Sequence, residues 1–489
     1  MGILDLFRRR PKQPARTVGG IGHVTGLGGR RGTITMEDGR LLRFSVADCM
    51  GFEPSRFQEV TVTTVEGSRA LGIATRPTPQ AAATAAAPAL EPPPEEPTNA
   101  ELEQALLAHP DDLETHLVYA DWLQSVGHPR GELIALMHSI GQDPHTDLQS
   151  RQDRLGALLI EQRRTLLGQL YPELSSSNVM SVLQVFDGQM HLVDHPDNVL
   201  RTQWRLGFIR SARVAESWQS MEHDTALGAH ELLEALMTHP SGRWLQELTL
   251  GLMNPDDEET YAGALEVLDR SGPRPALRSL FIGDFELQDE MEISWTRIGD
   301  LGPIWPLYPN LQQVTLQAGD FELGRIDLPA LRSFELRTGG LRRACIEAVC
   351  QARWPALQRL VVWFGDSNYG AEGTIEDLRP LLAGASVPRL RELGLMNCEL
   401  TDDICRELPG SAVAARLERL DLSMGTMSDE GARALAAGAQ AFGNLKQLNV
   451  EQNFLSDDAV QALQGLCAEV RAGDQEQADG DGRFVSVGE

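Results

Sequence analysis

Leu390-x-x-Leu393-x-Leu395-x-x-Cys398-x-Leu400, Leu417-x-x-Leu420-x-Leu422-x-x-Gly425-x-Met427 and Leu445-x-x-Leu448-x-Val450-x-x-Asn453-x-Leu455 are one pattern written three times. The copies start at 390, 417 and 445, a near-constant spacing. In each, alternate apolar residues fall on one side of a short extended segment. A unit this small cannot bury them without a neighbour stacked against it. The Asn or Cys at the ninth position can satisfy backbone groups that the following turn leaves unpaired. A stacked array of strand, turn and return segments follows.

Working back from these copies, the pattern stays legible to Trp244. Candidate strands begin at Leu245, Leu277, Leu311, Leu331 and Leu357, with inward pairs Leu248/Leu250, Leu280/Ile282, Val314/Leu316, Phe334/Leu336 and Leu360/Val362. Their uneven separations require insertions, which fall in loops on one face. Between the late strands, residues Asp402–Leu408, Asp429–Ala441 and Asp457–Cys467 read as helices on the return side, with Thr401, Ser428 and Ser456 as caps. Ser428-Asp-Glu and Ser456-Asp-Asp place carboxylates in a first helical turn, where the helix dipole favours them. The pattern is that of a leucine-rich repeat. From Trp204 onward the chain resembles a bacterial leucine-rich-repeat family of uncharacterised function, through Ile282-Gly-Asp-Phe285, Thr338-Gly-Gly-Leu341, Phe364-Gly-Asp-Ser-Asn-Tyr-Gly370 and the closing Ser-Val-Gly-Glu. The resemblance implies a curved α/β solenoid of parallel strands and convex helices over residues 176–471, and no reaction. Residues 472–489 read as an acidic tail, or as a cap over the last apolar edge.

Ahead of the array, residues 100–175 read as a small helical unit. Thr98 or Asn99 caps the segment Glu101–Ala108. Leu117, Ala120 and Leu123, with Trp122, form an apolar helix face, and Leu148, Leu155, Leu158, Leu159 and Leu166 continue it over residues 146–174. Tyr119-Ala-Asp-Trp-Leu123 and Gly127-His-Pro-Arg-Gly-Glu132 resemble a short bacterial repeat-companion domain, which implies association with repeats and no known reaction. Asp121, His128 and Glu132 are read as cap, turn and helix-surface residues. The segment Trp204–Val214 enters the array as a strand.

Residues 17–76 read as a small β barrel of the OB type. Asp38-Gly39 is a hairpin turn between Gly32–Met36 and Leu41–Ser45, and Val60–Val65 alternates with period two. The order of these strands loosely resembles cold-shock domains, which bind single-stranded nucleic acid with exposed aromatics beside basic residues. Here Thr33, Thr35 and Met36 stand in place of an aromatic cluster, and Phe44, Phe52 and Phe57 fit a core equally well. A tail, residues 1–16, precedes the barrel, and a Pro/Ala-rich linker, residues 77–99, separates it from the helices.

Composition excludes several classes. The formal net charge of −27 argues against a polyanion-binding surface over the whole protein, and Lys12 and Lys446 are the only lysines. The six cysteines have no CxxC spacing and read as reduced, mostly buried thiols of a cytoplasmic protein. The apolar run Gly2–Phe7 precedes Arg8-Arg9-Arg10, the reverse of a secretory signal, and no run is long enough to span a membrane. No phosphate-binding loop and no nucleophile elbow is present. His191 and His195 have the i, i+4 spacing of metal ligands on a helix, but no third ligand accompanies them. No cofactor, metal or catalytic residue is expected.

The residues between the inward leucines are the more informative set. They point out of the sheet onto the concave face. Phe281, Gln313, Gln317, Glu335, Arg337, Arg359, Trp363, Met396, Arg419, Asp421 and Asn449 are the candidate protein-binding residues, with Val361 as a further exposed apolar group. Apolar anchors among polar residues are what interfaces present. The reading is a non-enzymatic module that binds a protein partner on the concave face. The alternatives are a nucleic-acid-linked adaptor using residues 17–76 and an enzyme with its site in a solenoid insertion.

Overall fold

A computed structural model describes residues 16–18, 21–28, 31–36, 41–45, 59–66, 69–75, 92, 95–143, 145–171, 174–179, 183–186, 189–193, 199–216, 227–254, 259–287, 290–478 and 482–488. The chain forms two compact units, Met1–Ala89 and Leu90–Glu489.

The first unit contains β1 (Arg16–Val18), β2 (Ile21–Gly28), β3 (Arg31–Met36), β4 (Leu41–Ser45), β5 (Glu59–Glu66) and β6 (Arg69–Thr75). β2, β3 and β4 form an antiparallel meander, β4 meets β6 in parallel, and β5 pairs with both β6 and β2. The five strands therefore close into a ring, with β1 added along β5. Ile34, Phe44, Val62 and Ile73 are buried in it. Phe44 thus serves the core rather than a base-stacking surface. Phe52, Phe57, the Asp38-Gly39 turn and the side chains of Thr33, Thr35 and Met36 lie outside the described residues, and so does the rest of the nucleic-acid expectation for 17–76.

The second unit begins with helices α1 (Ala100–Ala108), α2 (Leu113–Ser125), α3 (Pro129–Gln142), α4 (Leu148–Glu161) and α5 (Arg163–Leu166). Asn99 caps α1 by accepting from the Leu102 amide at 3.2 Å, and Glu103 reaches back to the Asn99 amide at 3.3 Å. That reciprocal arrangement satisfies two otherwise orphaned donors. His128 caps α3, its Nδ1 accepting from the Arg130 amide at 3.4 Å, and Pro129 supplies the first turn. Glu132 pairs with Arg154 at 2.8 Å on the surface, and Asp121 is exposed. His128 thus caps a helix, while Asp121 and Glu132 lie on helix surfaces.

Four strands follow as an antiparallel meander: β7 (Leu183–Phe186), β8 (Gln189–Val193), β9 (Leu200–Arg205) and β10 (Phe208–Val214). The single strand expected over 204–214 is instead a hairpin corner. Leu206 and Gly207 both take positive φ, 45° and 81°, the backbone of a tight two-residue turn between antiparallel strands. His191 lies on β8, so the helix that would have set it beside His195 is absent; His195 is outside the described residues.

The array then runs through β11 (Glu247–Leu250), β12 (Glu259–Thr260), β13 (Ser279–Ile282), β14 (Thr296–Asp300), β15 (Gln313–Gln317), β16 (Asp320–Glu322), β17 (Ser333–Arg337), β18 (Arg359–Gly365), β19 (Glu392–Cys398), β20 (Arg419–Asp421), β21 (Gln447–Asn449) and β22 (Glu469–Arg471). β12, β14 and β16 form a small parallel sheet on the return side. The other strands continue the meander as one sheet, parallel from β10 to β22. Its register aligns Leu248, Leu280, Val314, Phe334, Leu360, Leu393, Leu420 and Leu448, all at most 1% exposed. Return segments include helices at Ala262–Arg270, Arg343–Gln351, Ile375–Leu382, Thr401–Glu407, Asp429–Ala437 and Asp457–Leu463. This is a mixed α/β solenoid with a long, mostly parallel sheet, like a leucine-rich repeat.

Side chains tie one coil to the next. The Asn453 amide donates to the carbonyls of Leu422 (2.9 Å) and Val450 (3.2 Å), while its oxygen accepts from the Met427 amide at 2.8 Å. Ser428 and Ser456 cap their helices, accepting from the Glu430 and Ala459 amides at 3.2 Å each. Each hydroxyl also donates to the acid of the preceding coil, Ser428 to Asp402 at 2.7 Å and Ser456 to Asp429 at 2.8 Å. The first-turn acids therefore serve as inter-coil acceptors as well as dipole partners. Thr401 is not a cap: it is the first helical residue, its hydroxyl donating to the Cys398 carbonyl.

The helices and the array share one core. Leu133, Leu155 and Leu159 belong to the same apolar cluster as Trp204, Trp305, Trp354 and Leu420. Tyr119, Leu123 and Ile134 pack with Phe208 and Trp244. The helical unit thus packs onto the first coils of the array and shares their core. Its polar fastening is Arg130, which is fully buried. Arg130 Nε donates to Glu96 at 2.9 Å and Nη1 to the Gly207 carbonyl at 2.6 Å and the Ser241 hydroxyl at 2.9 Å, with the guanidinium 4.6 Å from the Phe208 ring centre. Glu96, expected to lie in a linker, has a side chain at 0% exposure. A linker of Glu and Pro builds no core, but here its last turn supplies the counter-ion for one.

Candidate protein-binding face

Along β17 burial alternates, with Phe334 and Leu336 inward; β18 continues the register with Leu360 and Val362 inward, while Val361 between them is also buried. Parallel register then places like positions in columns across the coils. One column reads Ser333, Arg359, Glu392, Arg419 and Gln447; the next reads Glu335, Val361, Gly394, Asp421 and Asn449.

The two columns carry a chain of ion pairs from Arg337 to Arg419 and, beside it, a polar cluster around Asp421. Glu335 accepts from Arg337 Nε at 2.7 Å and pairs with Arg359 at 2.7 Å. Arg359 Nε lies 3.9 Å from Glu392, which in turn pairs with Arg419. Asp421 accepts from Ser423 at 2.6 Å and from Asn449 at 3.1 Å. Burial acts to raise the Glu335 pKa, but the charges and hydrogen bonds of Arg337 and Arg359 outweigh it and hold the carboxyl below its ordinary value. These guanidiniums are therefore pre-positioned by fixed carboxylates. Beneath them, Gly394 leaves room for Val361, whose side chain a Cβ at 394 would approach to 3.0 Å. The result is a depression of about 180 Å³ lined by Arg359, Val361, Glu392, Gly394, Arg419 and Asp421, among others.

The aromatic patch lies toward the strand ends. The Arg337 guanidinium is 5.9 Å from the ring centres of both Phe281 and Trp363, within cation–π range. Trp363 is in register with Met396, and both are partly buried, as is Phe281. The Trp363 indole N–H is buried and finds no acceptor among the described residues. The loop beyond it, residues 366–370, folds on itself around Asp366, which accepts from the Asn368 amide at 2.7 Å.

Two expected face residues are placed otherwise. Gln317 is 2% exposed: its amide donates to the Phe285 carbonyl at 2.8 Å and accepts from Arg337 at 3.3 Å, so it orients Arg337 instead of meeting solvent. Val361, at 6%, is the floor of the depression and not an exposed anchor. Gln313 is exposed, outside the charge network. Sequence reasoning passed over Gly394, which has no side chain to signal it, and Arg471, which lines the depression from a terminal strand, β22, that carries no leucine pattern.

Cys345, Cys350, Cys398 and Cys405 are free and buried, and burial pushes their thiols up, to about 11 for the first two and about 12 for Cys398. Thiols so raised are poor nucleophiles. Cys49 lies outside the described residues. Among the described residues no cluster of three His, Cys, Asp or Glu could hold a metal, and no helix is long and apolar enough to cross a membrane.

No family model matches the chain, and no curated protein is similar to it. Among solved structures it is similar to a Bacteroides fragilis protein, at 21% identity and a TM-score of 0.46, over 59% of this chain and 94% of that one. It is also similar to an internalin from Listeria monocytogenes, at 15% identity and a TM-score of 0.25, over 50% of this chain and 70% of that one. Neither likeness assigns a role to any residue.

Proposed function

We propose that this protein is a non-enzymatic interaction module that holds a protein partner against the open face of its sheet. The observation that carries the reading is the Phe281–Arg337–Trp363–Met396 patch. It is an aromatic and arginine anchor of the kind that dominates interface energetics, beside a charge network already fixed in place. Fixed side chains lose little entropy on binding. The exposed rim residues Arg419 and Gln313 would contribute orientation more than affinity.

The test is capture from native lysate by the intact protein beside Trp363→Ala/Met396→Ala, with folding checked by circular dichroism. The reading expects a protein retained by the first and lost by the second. Equal retention by both refutes it.

A further inference from the structure

The segment after β22 first caps the last coil and then turns back along the array. Gln475 closes the end: its oxygen accepts from the Leu455 amide at 2.9 Å and its nitrogen donates to the Val450 carbonyl at 2.9 Å. Residues 482–488 then cross the coils in reverse order. Arg483 Nη1 donates to the Thr426 carbonyl at 2.6 Å and to Asp402 at 3.2 Å. The Ser486 amide donates to the Met424 carbonyl at 3.1 Å. Val487 is bound at both backbone groups by one side chain: its amide donates to Asn397 Oδ1 at 2.9 Å, and Asn397 Nδ2 donates to its carbonyl at 2.6 Å. Gly488 reaches Gly339 and the Tyr369 ring.

This is the geometry of peptide recognition, each contact reading one feature of an extended chain. Asn397 is 0% exposed and sits at φ 50°, a conformation Asn tolerates better than most residues. It spends its whole amide on the Val487 backbone, a pairing that holds an extended strand whatever its side chain. The Val487 side chain packs against a separate apolar cluster of Leu252, Phe285, Met291 and Ile293. The next position favours glycine, because the backbones approach closely there: a Cβ on Gly488 would stand 2.9 Å from the Tyr369 ring, and one on Gly339 would stand 2.1 Å from the Gly488 oxygen. Between the anchors, Phe484 points to solvent at 60% exposure and adds no packing.

We propose that this edge groove is a second binding site, specific for an extended peptide carrying a β-branched residue followed by glycine, and that residues 483–488 occupy it as a displaceable internal ligand. A tether holds the segment at an effective concentration in the millimolar range, so a free peptide competes for the groove and does not simply add to it. Asn397 directly follows Met396, so occupancy of the groove is felt one residue from the open-face patch. The proposal stands on the strap contacts alone and does not require the open face to bind anything.

The experiment uses a fluorescent peptide, Arg-Phe-Val-Ser-Val-Gly-Glu, and fluorescence anisotropy with full-length protein. Gly488→Ala loosens the chain's own strap without touching the groove, and chymotrypsin cleavage after Phe484 reports the release. The groove should then bind the peptide at least roughly tenfold more tightly than the intact protein does. A peptide with Ala in place of its Gly should not bind, nor should a Gly488→Ala/Asn397→Gly protein, which keeps the backbone conformation and loses the amide. Equal binding by all proteins, no binding by the released Gly488→Ala protein, or unchanged Phe484 protection in that variant would each overturn the proposal.

Discussion

Replacing Arg130 by Met is the sharpest perturbation of the junction between the helices and the array. The two side chains are close in length, so packing changes little while the charge disappears. What remains is the Glu96 carboxylate, at 0% exposure, with Arg243 at 3.5 Å as its nearest cation, and two buried acceptors, the Gly207 carbonyl and the Ser241 hydroxyl, stripped of a donor. Removing one partner of a buried pair costs up to about 3–5 kcal/mol when the charge is left alone inside, and Arg243 offsets part of that cost here. Adding Glu96→Gln to Arg130→Met removes that charge and should recover at least about 1 kcal/mol. Urea denaturation followed by tryptophan fluorescence is the assay. All eight tryptophans lie between Trp122 and Trp363, so the signal reports the second unit alone. A loss below about 1 kcal/mol for Arg130→Met would put the pair among surface-like interactions. It would refute the view that the helices are fastened to the array through a buried ion pair.

Asn453→Ala removes an inter-coil staple with two short carbonyl contacts and orphans the buried Met427 amide; a loss of about 2–4 kcal/mol in the same denaturation assay is expected. Burial, reinforced by Arg130 and Arg243, pushes the His239 imidazole down to about 3 from 6.5. The folded chain therefore binds fewer protons than the unfolded chain between those values, and stability falls as pH drops below 6.5, by about 1.4 kcal/mol per unit, until it flattens near the folded value. Stability measured in urea from about pH 6.5 to 5 should show that slope, and His239→Gln should reduce it. Gly365→Ala, at φ 82° with a Cβ 1.8 Å from the Gly339 oxygen, should lower thermal stability in a calorimetric scan by more than a typical surface substitution.

The solenoid was legible because its signal is repetition. Leu393, Leu420 and Leu448 face one core from identical positions, and three copies fix strand direction, register and face together. The outward columns followed by alternation, which is why Glu335, Arg337, Arg359, Trp363, Met396, Arg419, Asp421 and Asn449 do share a face. What the sequence hid depends on partners distant along the chain. Glu96 looks like a linker residue until Arg130 and Arg243 surround it, and Gln317 looks exposed until the 283–287 loop folds over it. Leu206-Gly207 reads as strand by its apolar neighbours, and only the backbone shows a corner. The strap is illegible for the same reason: Asn397 and Val487 are 90 residues apart.

On the proposed function, partners meet the open face of the sheet. Photo-crosslinking in native lysate tests it most directly, with a benzophenone amino acid placed singly at Met396 or Arg419 on that face, or at Arg433 in the return helix Asp429–Ala437. A discrete adduct is expected from Met396 and Arg419 and none from Arg433. An adduct from Arg433, with none from the other two, would place the working surface on the opposite side of the array and contradict it.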